Sequence, residues 1–129
     1  MSSFNVTEPM GLDGAIDVIE ETYEFMLAYA AQGRRNDEDS SSTGIRAFLQ
    51  RATEALSVIA EARVTGDAAQ KFLEVVRQDV AKTEAAIRLV LAQPAIGSQI
   101  IDNLNASIHL RALLTDLFLL DETLKISVS

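Results

Sequence analysis

The hydrophobic positions of the chain recur at steps of three and four residues in four segments, which is the period of one face of an α-helix. Glycine or proline follows each of the first three segments, and both residue types end helices. Each segment is therefore predicted to form an amphipathic helix. The first segment runs from about Leu12 to Gly33, the second from Ile45 to Gly66, the third from Leu73 to Pro94 and the fourth from Ser98 to Leu124.

Hydroxyl side chains at two helix starts predict caps, because such a side chain can accept a bond from a first-turn N–H. Ser42 or Thr43 is expected to cap the second helix, and Ser98 the fourth. On the third helix, Glu84 and Arg88 are four residues apart, a spacing that predicts a surface ion pair.

The segments are similar in length, and the connections around Gly66 and Pro94 are short. Sequential helices with short connections pack as antiparallel neighbours. We therefore predict an all-α fold, an up-and-down antiparallel four-helix bundle, with residues 1–129 forming a single domain. Residues 1–9 are expected to be a flexible arm, and residues 34–43 a polar, solvated loop.

The apolar face of the fourth segment rotates partway along it. At about 100° per residue, the apolar positions before Ser107 centre about 120° away from the leucines that follow. Either the helix is kinked or changes register near Ser107, or its C-terminal half packs against both its own bundle and a second subunit. We favour the second hypothesis, since symmetric dimers are the commonest soluble oligomers. The expected dimer interface consists of Leu110, Leu113, Leu114, Leu117, Phe118, Leu120 and Leu124.

The composition narrows the classes of partner. The chain has 129 residues, a net charge of −8 and no cysteine. A disulfide framework, a thiolate zinc site and a cysteine nucleophile are thus excluded. An acidic surface repels nucleic acid and anionic membranes, so neither is an expected partner. No segment has the pattern of a signal peptide or a membrane span, and a cytoplasmic location is expected.

The search for chemistry centres on the single histidine, His109. On the helical projection it shares a polar stripe with Asp102, Asn105 and Asp116, which makes this stripe a possible polar site. The paired Glu-x-x-His sequences of a diiron bundle and a glycine-rich phosphate loop are both missing. We therefore predict no catalytic residues, no metal and no cofactor, and expect the chain not to be an enzyme.

The sequence favours a non-enzymatic interaction or accessory protein that self-associates through its C-terminal helix, as a homodimer. One alternative is a bundle that carries out histidine phosphotransfer, or binds a small molecule, at the stripe around His109. Another is that the apolar helix face binds an amphipathic helix of a different protein.

Overall fold

The computed structural model describes residues 10–37 and 44–128, with side chains as far as Leu124. All regular structure within these residues is helical, which confirms the all-α prediction. The predicted arm, residues 1–9, and residues 38–43 of the predicted loop lie outside the described residues. The helices are α1 (Leu12–Ala30), α2 (Ile45–Ala60), α3 (Asp67–Leu91), α4 (Ser98–Ala106) and α5 (His109–Val128).

The prediction of one continuous fourth helix is wrong, because the chain leaves the helix at Ser107 and Ile108. The Ile108 N–H donates to the carbonyl oxygen of Asn105 at 3.1 Å. Ile108 itself has φ 61°, the left-handed conformation in which helices commonly end. A new helix starts at His109, so the rotation of the apolar face coincides with a break between α4 and α5.

Ile108 is strained by this conformation, which costs a residue with a Cβ about 1–2 kcal/mol. Its side chain is 59% exposed and contributes little burial in return. We therefore expect Ile108→Gly to raise the free energy of unfolding by about 0.5–1 kcal/mol. Ile108→Ala keeps a Cβ in the strained position and should gain much less. Urea unfolding of the three proteins checks this, and a glycine variant less stable than the alanine variant would contradict it.

Helices α1 and α2 run in opposite directions, and so do α2 and α3. Phe25, near the end of α1, stacks on Phe48 near the start of α2, with ring centroids 4.1 Å apart. Arg77, in the first half of α3, donates to the carbonyl oxygens of Ala60 and Ala62, at and just beyond the end of α2, at 2.9 and 3.0 Å. The starts of α1 and α3 and the ends of α2 and α5 line one small cavity. These contacts place the apolar faces of the helices around a common core.

The core contains the apolar positions that the periodicity assigned to the helix faces. Several of its large side chains are no more than 1% exposed. Burying one such side chain stabilises the fold by about 1.5–3 kcal/mol. Examples from three helices are Ile19, Met26, Leu49, Leu56 and Ile87.

The predicted cap of α4 by Ser98 is wrong, and the predicted surface pair is confirmed; Ser42 and Thr43, predicted to cap α2, lie outside the described residues. The cap positions of α2 and α4 are Gly44 and Gly97, which have no side chain to accept a bond. Ser98 instead is the first residue of α4, and its hydroxyl is engaged elsewhere. Glu84 and Arg88 form an ion pair at 2.9 Å.

A polar cluster, which we call the end clamp, joins the segment after α1 to the segment before α4. Its members are Tyr29, Arg34, Asp37, Arg46 and Ser98. Ser98 donates its hydroxyl to the Tyr29 carbonyl at 2.7 Å and accepts the Arg34 N–H at 2.8 Å. Tyr29 donates its own hydroxyl to the Ile96 carbonyl at 2.6 Å. The first residues of the predicted solvated loop, 34–37, are therefore bound to the body of the protein.

Arg46 is the centre of the end clamp. Its guanidinium contacts the Asp37 carboxylate at 2.5 Å and donates to the carbonyl oxygens of Leu91 and Gln93 at 3.0 and 2.7 Å. Burial alone would raise the pKa of Asp37, but the Ile96 N–H and the Arg46 guanidinium outweigh burial and lower that pKa. The clamp thereby fixes the end of α3 to the start of α2.

Candidate functional site

Most of the predicted interface leucines lie in the interior of a single chain. Helix α5 packs against both α1 and α3, so its wide apolar face is covered from two sides. Phe118 differs, being 45% exposed, and Leu124 is partly buried against the core. Self-association stays a prediction, and the surface available to it is narrower than the sequence indicated. The buried members are Leu110, Leu113, Leu114, Leu117 and Leu120.

Phe118 borders a surface groove between α1 and α5, which we call the α1–α5 groove. Leu27 of α1 lies in the same groove and is also 45% exposed. The groove has a volume of about 370 Å³. Sequence reasoning missed Leu27, because it lies beside the periodic apolar positions of its helix rather than on them. The lining residues are Glu20, Tyr23, Glu24, Leu27, Arg111, Leu114, Thr115 and Phe118.

The two walls of the α1–α5 groove carry opposite charges. Glu20 and Glu24 belong to α1, and Arg111 belongs to α5. Within the described parts of the chain, no ion pair joins Arg111 to a carboxylate. An acidic wall and a basic wall thus flank two exposed apolar side chains.

A second groove lies between the end of α3 and α4, and we call it the α3–α4 groove. It has a volume of about 450 Å³ and is lined mainly by apolar side chains. Leu89 on its edge is 67% exposed. His109, at the start of α5, contributes a polar group to the lining together with Gln93 and Asn103.

The structure does not gather the predicted polar stripe into one site. Asp102 is exposed and Asn105 is partly buried, and neither lines the α3–α4 groove with His109. Asp116 instead faces α3, where its carboxyl group meets that of Asp79. The break between α4 and α5 separates Asp102 and Asn105 from His109 and Asp116, although a continuous helix would align all four.

Two further features bear on the kinds of site present. Among residues 10–37 and 44–128, no group of three or more histidine or acidic side chains is arranged to hold a metal ion. In the same part of the chain, no helix combines the length and the apolar character needed to cross a bilayer.

The chain was compared with known families, curated proteins and solved structures. No family model, curated protein or solved structure matches it. Its function is therefore inferred from its own surface and chemistry.

Proposed function

We propose that the protein is a non-enzymatic accessory protein that self-associates through the α1–α5 groove. The observation that carries this proposal is the exposure of Leu27 and Phe118, each 45%, between an acidic and a basic wall. A binding role is favoured because exposed apolar side chains in a groove with charged edges are typical of association surfaces.

A second copy of the chain is the occupant that the charges favour. In a twofold interface both partners contribute the same surface. The acidic wall of each copy can then lie against the basic wall of the other. Glu20 and Glu24 of one copy can then lie against Arg111 of the other, while Leu27 and Phe118 of both copies fill the centre. Opposite charges at the edge of an interface fix its register and speed its formation.

The scaffold for this surface is an up-and-down four-helix bundle in our proposal, with α4 and α5 together taking the fourth position. The opposite directions of neighbouring helices and the packing of α5 against α1 and α3 support this arrangement. Two exposed side chains of the groove, Arg111 and Phe118, then lie on a helix whose opposite face is part of the core.

Phe118→Glu and Leu27→Glu are each expected to weaken self-association by about tenfold or more, since each places a charge in the centre of the interface. Leu89→Glu is the matched control: Leu89 is 67% exposed, on a different face, and should leave association unchanged. Sedimentation velocity over a concentration series measures the three variants. Equal weakening in all three would contradict the assignment of the surface.

A charge exchange tests the pairing of the walls. Arg111→Glu is expected to weaken the dimer about fivefold, because it faces the acidic wall of the partner copy. Adding Glu24→Arg to the same chain should recover most of the loss, as expected for groups in contact. A double variant that associates more weakly than Arg111→Glu alone would show that these walls do not meet.

Small-molecule binding in the α3–α4 groove is a second candidate function. Its volume of about 450 Å³ lies within the usual range of ligand pockets, and His109 adds a polar group to an apolar lining. This candidate retains the alternative that the sequence raised for His109. Mass spectrometry under native conditions would reveal it as extra mass on wild type that His109→Gln and Leu89→Glu lose.

A further inference from the structure

Asp79 lies in an unusual position for a carboxyl group. It is partly buried on α3, between Val76 and Val80, which belong to the core. Its Oδ2 atom is shielded from solvent, and no group among the described residues donates a hydrogen bond to it. The nearby Thr83 hydroxyl donates instead to the Asp79 main-chain carbonyl, at 2.7 Å. The inward carboxyl oxygen therefore lacks the donor that a buried acceptor requires.

The neighbour of Asp79 across the α3–α5 contact is a second carboxyl group, that of Asp116. Two carboxylates offer only acceptors, so they repel each other unless one of them holds a proton. A proton on either group supplies the missing donor and converts the contact into a hydrogen bond. Among the described residues, Asp116 from α5 and Lys82 from α3 are the charged side chains that act on Asp79.

Burial, the hydrogen bond that protonated Asp79 makes to Asp116 and the negative charge of Asp116 together raise the pKa of Asp79 to about 6, while Lys82 opposes the shift. The two groups interact closely, so the proton belongs to the pair rather than to one residue. An ordinary aspartate in the unfolded chain has a pKa near 3.8. The folded protein thus binds this proton more tightly than the unfolded chain does.

We propose that Asp79 and Asp116 form a pH-sensitive latch between α3 and α5: one shared proton bonds the two helices, and its loss leaves two repelling carboxylates in the contact. Because the pKa is raised in the folded state, the stabilisation is fully present below pH 3.8 and is lost as the pH rises through about 6. The full shift corresponds to a change of roughly a hundredfold in the folding equilibrium. About tenfold of this change falls between about pH 5 and pH 8, because the folded-state pKa is about 6, and the remainder takes place at lower pH.

The test is equilibrium unfolding by urea between about pH 5 and pH 8, above the range in which ordinary carboxyl groups titrate. The wild-type folding constant should fall about tenfold across this range. Asp79→Asn cannot titrate at this position, so its folding constant should stay level and exceed that of wild type at the upper end. Asp102→Asn removes an exposed carboxylate and should reproduce the wild-type fall. Histidines usually titrate in the same window, so the series is repeated in a His109→Gln background.

The same fall in wild type and Asp79→Asn would overturn the latch. If Asp79→Asn fails to fold, carboxyl ¹³C shifts of the wild-type protein decide the question, because they follow each aspartate separately. Titration of the Asp79 carboxyl group near pH 6 supports the latch, and its titration near the ordinary value of 3.8 overturns it.

Discussion

Arg46→Met is expected to lower the free energy of unfolding by about 2–4 kcal/mol, the largest loss expected for any single polar side chain of this protein. Methionine keeps much of the length and apolar volume of the side chain but removes all its donors. The Asp37 side chain, only 10% exposed, would lose its counterion. The carbonyl oxygens of Leu91 and Gln93 would lose donors as well.

Urea unfolding measures the loss, and Arg88→Met is the matched control. Arg88 also pairs with a carboxylate, that of Glu84, but its side chain is 64% exposed. Exposed pairs four residues apart on a helix contribute about 0.5 kcal/mol or less. Equal losses in the two variants would show that the end clamp adds nothing beyond an ordinary surface ion pair.

The contribution of Asp37 to the stability of the end clamp is lost at low pH, whereas that of the Asp79–Asp116 latch is lost at high pH. Its pKa is lowered in the folded protein, so its contribution is present above pH 3.8 and is lost as the pH falls through the lowered value. Removing Arg46 takes away part of the cause, and acid should then destabilise the variant less steeply than the wild type.

Gly97→Ala is expected to cost about 2–3 kcal/mol, the second largest effect. A Cβ at this position would lie 2.9 Å from the carbonyl oxygens of both Arg34 and Arg35. These are backbone atoms of the clamped segment and cannot rotate away as a side chain could. Gly97 has φ −92° and ψ 173°, which alanine adopts freely, so the cost arises from contact alone.

Gly11→Ala provides a close control for this substitution. Gly11 also precedes a helix and has nearly the same backbone angles, φ −86° and ψ 177°. Nothing lies within 4 Å of a Cβ built there. Thermal or urea unfolding should show a loss of less than about 1 kcal/mol for Gly11→Ala. If Gly97→Ala costs no more than this control, the close approach of the two segments is wrong.

The periodicity of apolar residues predicted the helices well but not the break between α4 and α5. Helix ends in left-handed conformation are usually marked by glycine or asparagine, and here the position is Ile108. The rotation of the apolar face near Ser107 was the one signal of the break. It also fitted a helix shared by two subunits, which is the interpretation that the sequence analysis favoured.

The sequence showed that α5 has a wide leucine-rich face, but not what covers it. A helix that packs on two neighbours needs a wide apolar face, and α5 packs on α1 and α3. Sequence alone does not separate this arrangement from a helix that packs on one neighbour and a second subunit. Leu113, fully buried, and Phe118, 45% exposed, are both part of the same pattern.

Polar contacts between distant parts of the chain had no sequence signal. Arg46 and Gln93 are joined by a hydrogen bond across 47 positions, and Tyr29 and Ser98 across 69. Asp79 resembles a surface residue in sequence, since it directly follows two polar residues, Arg77 and Gln78. Its contact with Asp116 depends on the register between α3 and α5, which only the packed structure defines.

The most direct test of the proposed function is the molar mass of the wild-type protein, by light scattering after size-exclusion chromatography over a dilution series. Self-association through the α1–α5 groove predicts twice the 14.0 kDa of one chain at high concentration, with a fall toward 14.0 kDa on dilution. Phe118→Glu should remain near 14.0 kDa throughout. A wild-type mass of 14.0 kDa at every concentration would contradict the proposal.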